Sequence, residues 1–148
     1  MERSRKRKND KRRVAREWGL CLLFALEFID DRGQLFTLFP ELVERFEPRR
    51  EAFDTARELV VGTVEQLSEV DATIQRSSPR WKVHRMDIID RNILRLATFE
   101  LMHRSQTPPR VVINEAVELA KRYGAQPTRS FVNGILQQVC IDNEIQLS

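Results

Sequence analysis

Three short clusters in this 148-residue sequence carry side chains suited to chemistry, and all three suit binding rather than bond making. The first is Lys11, Arg12, Arg13 and Arg16. A guanidinium presents a rigid fork of donors that matches a phosphate. Carried on a helix, these cations stand at fixed spacing, and they crowd the first turns, where the helix dipole disfavours positive charge. Cations set against the dipole point to an anionic partner, of which nucleic-acid backbone is the natural one. The second cluster is Thr128-Arg129-Ser130-Phe131, at the expected start of the last helix. Free backbone N–H groups, the dipole and Arg129 make a phosphate site there. Phe131 offers a ring to an unpaired base. On spacing alone a plainer reading is favoured, with Thr128 an N-cap and Phe131 core. The third cluster is Asp90-Arg91 with His84 and Arg85. It reads as a solvated edge with an intrahelical ion pair, or as the rim of a protein–protein contact; spacing alone favours the first.

Other chemistries lack their residues. Five scattered glycines do not make a phosphate-cradling loop. His84 and His103 share no helical face with a cysteine or carboxylate cluster, so no metal site is expected. No serine or cysteine has a nucleophile's surroundings. The sequence reads as a binding protein without cofactor, not as an enzyme.

The elements that must carry these clusters are helical. Charged residues make up 32% and apolar residues 41%, which favours a packed helical protein over a turn-rich β one. The net charge is +3, yet residues 1–16 hold nine Lys/Arg against Glu2 and Asp10, so this arm carries +7 and the remainder −4. Residues 1–10 lack apolar content and are expected to be disordered alone, with one all-helical domain from 11 to 148. From Lys11, residues Val14, Trp18, Cys21, Ala25 and Phe28 recur at threes and fours, widened by Leu22, Leu26 and Ile29. Glu17 and Glu27 bracket this apolar run, which is too short to span a bilayer, so it reads as a core helix and not a signal peptide. Cys21 and Cys140 read as reduced core thiols of a cytosolic protein, with no membrane association expected.

Further helices are expected over Leu35–Phe46 and about Arg50–Arg76, the latter containing Gly62, which suits close helix packing. Ser77-Ser78-Pro79 divides the chain into subdomains of about 11–77 and 80–148. The stretch Arg80–Leu101 opens with a tryptophan flanked by cations and continues as a helix from about Arg85 to Arg104. Met86, Ile89, Ile93 and Leu96, with Ala97 and Leu101, form its apolar face. After Pro108-Pro109, a helix buries Val112, Ala116, Val117, Ala120 and Tyr123 and stops at Gly124. The last helix runs from Thr128 to about Asn143, burying Val132, Ile135, Leu136 and Val139. No strand is expected.

The wording of the second half resembles a known family. RWKVHRMDIIDRNILRLATFEL, TPPRVVINEAVELAKRYG and SFVNGILQQV occur in order at the separations of the NusB family of bacterial transcription antitermination factors. KRRVAREWGLCLLFALEF is similar to that family's arginine-rich opening helix. The resemblance covers roughly residues 11–140. It implies an all-α fold of two perpendicular three-helix bundles sharing one core. It implies binding of single-stranded boxA RNA from ribosomal-RNA leader transcripts, together with the small-subunit ribosomal protein also called NusE, in the antitermination complex of RNA polymerase. Arg12, Arg13 and Arg16 match its RNA-contacting arginine-rich segment, and Arg129, Ser130 and Phe131 match the RNA-contacting start of its last helix. Asp90, with His84 nearby, matches its NusE-facing surface. Asn114-Glu115 and Asn133-Gly134 match signature positions read as structural, the glycine for close packing. Pro127 departs from a position that is often acidic in the family. Two rival readings stand beside this one. The first is the NusB-like domain of certain ribosomal-RNA cytosine-5 methyltransferases, whose catalytic domain is not expected in a chain closing at Ser148. The second is an interaction module or homodimer without a direct RNA role.

Overall fold

The structure is a computed structural model describing residues 2–29, 50–104 and 106–147, with side chains from 12–29, 51–104 and 106–147. Among the described residues it is all-helical: α1 (Glu2–Leu26), α2 (Arg50–Glu65), α3 (Leu67–Ser77), a 3-10 turn (Val83–Arg85), α4 (Ile88–His103), α5 (Pro109–Tyr123) and α6 (Thr128–Asp142). The expected helix over Leu35–Phe46 lies outside the described residues.

The chain forms two compact units, Met1–Val61 and Gly62–Ser148. The boundary falls inside α2 and not at the expected Ser77–Pro79 break. The reason is in the packing of α3, which lies against α4 and α6 and so belongs with the second half. Ser77 Oγ also donates to Asp142 Oδ2 at 2.8 Å, tying the end of α3 to the end of α6. The expected single helix over Arg50–Arg76 is two, because Gln66 leaves the helical region (φ −103°, ψ 20°).

In the first unit α1 begins at Glu2, so residues 2–10 continue a helix where the sequence suggests a disordered arm. Lysine and arginine are good helix formers, and the amphipathic segment that follows propagates the helix backwards at low cost. Ala15, Ala52 and Ala56 form a small core joined by Val14 and Trp18. Trp18 meets Phe53 at a ring separation of 6.2 Å. Two expected core residues lie outside it. Cys21 is exposed, and Phe28 is 66% exposed because α1 ends at Leu26 and the stripe ends with it.

In the second unit α3, α4, α5 and α6 pack around Val70, Ile74, Ile93, Leu94, Leu96, Val112, Ala116, Val132, Leu136 and Val139. Most of the apolar faces expected of the last three helices are buried, but Ile89, Leu101 and Val117 are only half-buried and Tyr123, in the last turn of α5, is exposed. Phe99 lies directly over Gly62: a Cβ there would meet its ring at 2.2 Å. Arg95 clamps Asp71 with two bonds of 2.8 and 2.9 Å, joining α4 to α3. Gly124 ends α5 with extended backbone (φ −92°, ψ 169°), not the left-handed stop its position suggests. Its lack of a side chain serves contact instead, because a Cβ would lie 2.7 Å from Thr128 Cβ.

Candidate nucleic-acid interface

In the second unit the chain between α3 and α4 is a tight connector, and one side chain fastens it. Gln75 Nε2 donates to Ser78 O (3.2 Å) and Trp81 O (3.0 Å), while Gln75 Oε1 accepts from Val83 N (3.1 Å). Three bonds from one amide hold the loop in a single shape. Arg91 adds to this by donating to the carbonyls of His84 (3.1 Å) and Met86 (3.3 Å). Asp87 then caps α4, accepting from Ile89 N at 2.9 Å.

Pinned in this way, the connector faces the start of α6. Trp81, 57% exposed, sets its ring perpendicular to that of half-buried Phe131 at a separation of 5.7 Å. An edge-to-face pair at this distance is a favoured aromatic geometry. The rings wall a hollow of about 620 Å³ whose other lining includes Arg80, Lys82, Arg85, Asp87, Asp90 and Thr128. Among the described residues, Arg80, Lys82 and Arg85 have no side-chain partner, whereas both carboxylates are engaged.

Asp90 is half-buried and turned inward. Its Oδ1 accepts from Thr128 Oγ1 at 2.8 Å, a bond that ties α4 to α6 across 38 residues of chain. Burial pushes the Asp90 carboxyl above the ordinary carboxylate range; the bond from Thr128 opposes this and the charge of Asp87 adds to it. Thr128 is therefore not the N-cap of α6. That position belongs to Pro127, no side chain caps the helix, and Thr128 is 3% exposed with its hydroxyl spent on Asp90. The amides of Arg129 and Ser130 are left without a partner among the described residues, and both side chains are exposed. Phe131 is neither plain core nor a free platform: the accessible ring surface belongs mainly to Trp81. His84 is exposed, with only its carbonyl engaged by Arg91. The structure thus gathers Asp90, Arg129, Ser130 and Phe131 at one end of this unit. It adds Arg80, Trp81, Lys82 and Gln75, whose sequence signal was the tryptophan between two cations.

In the first unit Lys11, Arg12, Arg13 and Arg16 lie on α1. The side chain of Lys11 is outside the described residues, and Arg12 and Arg13 are half-buried. Arg16 is only 5% exposed and, like Arg13, has partners within the chain. It shares a face with Leu20 and Leu23, both buried, so its aliphatic stem lies along the core side of the helix. A cation expected to face a phosphate is thus largely withdrawn from solvent. Among the described residues no group of three or more His, Cys, Asp or Glu is placed to hold a metal ion, and no helix is long and apolar enough to cross a membrane.

Comparison with known proteins follows the same outline. Residues 13–140 match the model of the NusB family. The chain is 39% identical over 128 residues to the transcription antitermination protein NusB of Desulfitobacterium hafniense strain DCB-2, covering 86% of each. It is 40% identical over 134 residues to the NusB of Sorangium cellulosum, covering 86% of this chain and 90% of that one. T. maritima NusB superposes with a TM-score of 0.77 at 38% identity over 88% of this chain and 91% of that one. A chain in a crystal structure of the antitermination factors NusB and NusE in complex with dsRNA superposes with a TM-score of 0.78 at 27% identity, over 90% of this chain and 98% of that one. With residues 13–140 matched by the family model and 39% identity over 128 residues to a NusB protein, this chain belongs to the NusB family.

Proposed function

We propose that this protein is a non-enzymatic RNA-binding adaptor of the cytoplasm. It holds boxA RNA of ribosomal-RNA leader transcripts together with NusE, and so helps RNA polymerase read through terminators. The observation that carries the reading is the likeness, over 90% of this chain, to a protein solved with NusE and RNA. The site chemistry is consistent with it. Uncapped amides at the start of α6, the positive end of its dipole and exposed Arg129 favour a phosphate beside Ser130 and Phe131. Lys11, Arg12 and Arg13 on α1 neutralise further phosphates, and Arg16, from its buried position, orients that segment.

Asp90 acts in this scheme through Thr128: it fixes the start of α6 and leaves the NusE contact to the surface around His84. RNA and NusE each contribute a modest interface, and each raises the effective concentration of the other. If about four to six phosphates of a single strand are neutralised, log K falls with log salt at a slope of about −3 to −4. The test is a salt titration of boxA RNA binding for the wild type and for Arg12→Ala/Arg13→Ala. The slope is expected to become shallower by roughly 0.7 per lost contact. A wild-type slope near zero contradicts the reading.

A further inference from the structure

We propose that the hollow between the Arg80–Asp87 connector and the start of α6 seats one unpaired nucleotide of bound RNA, its base stacked on Trp81 and its flanking phosphates held by Arg80, Lys82 and Arg85. The inference rests on the RNA-binding reading above and adds to it a base-binding residue and a second cationic segment.

Four observations carry it. Trp81 presents 57% of its surface to solvent although it is among the most apolar side chains available. Its position is not accidental, because the Gln75 amide holds its carbonyl and Phe131 fixes the plane of its ring. A rigid, exposed aromatic face is the usual platform for an unstacked base, and every base has a π-face to offer it. The hollow beside it, about 620 Å³, falls within the range of roughly 300–1,000 Å³ typical of small-ligand sites.

Charge then selects the ligand. Arg80, Lys82 and Arg85 line the hollow, are exposed and lack partners among the described residues. The two carboxylates in the same lining are turned to other work, Asp87 capping α4 and Asp90 holding Thr128. A ligand that is aromatic in its centre and anionic at its edges fits, and a nucleotide within a strand is such a ligand. An aromatic peptide segment would need carboxylates of its own to meet the three cations.

Gly134 extends the surface. It lies one turn along α6 from Phe131, with nothing within 4 Å of where its Cβ would stand. It lines a second hollow of about 380 Å³ together with Ser78, Arg80, Trp81, Ser130 and Phe131. The packing expected of this glycine is absent, so nothing within the described fold requires it. A glycine on an open helix face lets another backbone approach closely, and the RNA strand leaving Trp81 is placed to do so.

The test compares a boxA-like single strand with a blunt duplex of the same sequence, using wild type, Trp81→Ala, Trp81→Phe and Arg80→Gln/Arg85→Gln. Trp81 is largely exposed and loses one ring contact, with Phe131, so circular dichroism is expected to stay at its wild-type value and the melting temperature of Trp81→Ala to fall by only about 1–6 °C. Base stacking worth about 1–3 kcal/mol corresponds to a loss of about 5- to 150-fold in single-strand affinity for Trp81→Ala, largely restored in Trp81→Phe. The arginine double variant is expected to flatten the salt slope by about 1.4. Single-strand binding is expected to quench tryptophan fluorescence in the wild type and not in Trp81→Phe, where only half-buried Trp18 remains. Duplex affinity is expected to be unaffected by Trp81→Ala. If Trp81→Ala binds the single strand as wild type does, or loses only NusE affinity, this inference is overturned while the adaptor reading stands. If the wild type binds no RNA with or without NusE, both fail.

Discussion

The Asp90–Thr128 bond allows a prediction in which chemistry and pH act separately. Thr128 is 3% exposed and its hydroxyl meets Asp90 at 2.8 Å. In Asp90→Ala the hydroxyl stays buried and loses this acceptor, which costs about 1–3 kcal/mol. For a domain of this size that is a fall in melting temperature of roughly 3–9 °C. Asp90→Asn keeps an acceptor oxygen in the same place and removes the charge that burial penalises, so at pH 7 it is expected to match or exceed the wild type. The sign of the pH dependence follows from the raised carboxyl. The folded chain takes up the Asp90 proton at a higher pH than the unfolded chain, so the cost of burying the charge is paid at neutral pH. That cost is relieved as pH falls through the raised value, and the relief is complete below the ordinary value of 3.8. The wild type is therefore expected to gain on Asp90→Asn between pH 7 and pH 4. Urea unfolding of the wild type and both variants at the two pH values measures this. A stability gap between wild type and Asp90→Asn that ignores pH, or an Asp90→Ala variant as stable as Asp90→Asn, refutes the reasoning.

Three further outcomes are expected. Gly62→Ala would gain about 1 kcal/mol of helix propensity but would drive a methyl group into the Phe99 ring, whose nearest atom lies 2.2 Å from the Cβ position; overpacking costs about 1–3 kcal/mol, and thermal denaturation should show a net loss. Arg95→Ala removes both bonds to Asp71, which are charge-assisted and partly shielded, and chemical denaturation should report a loss of about 1.5–3 kcal/mol. Gly134→Ala meets no neighbour and should raise the melting temperature by the helix-propensity gain of up to about 1 kcal/mol, while weakening single-strand RNA binding in a filter or polarisation assay.

The helices of the second half are written plainly in the sequence, because their apolar residues repeat at three and four over four turns and each is bounded by a proline, a capping aspartate or a glycine. Val132, Leu136 and Val139 are buried for that reason. Periodicity is silent on partners that meet only in three dimensions. It shows Thr128 before an apolar run and suggests an N-cap, but the hydroxyl goes to a carboxylate 38 residues away. It reads Phe131 as core, but the ring is only half-buried and stands against Trp81, which, held by the Gln75 amide, has the exposed surface. Charge patterns mislead in the same way. Arg16 sits in a basic run yet lies on the buried face of α1 with Leu20 and Leu23. Gly124 and Gly134 look alike as letters. The first is required by contact with Thr128, and the second by nothing in the described fold.

The most direct test of the central claim is the affinity of the full chain for a boxA-like single-stranded RNA, measured with and without NusE by fluorescence polarisation. The account predicts measurable binding alone, tightening when NusE is added, and loss of that binding in Arg12→Ala/Arg13→Ala and in Phe131→Ala. A wild-type protein that shows no affinity for this RNA even with NusE present contradicts it.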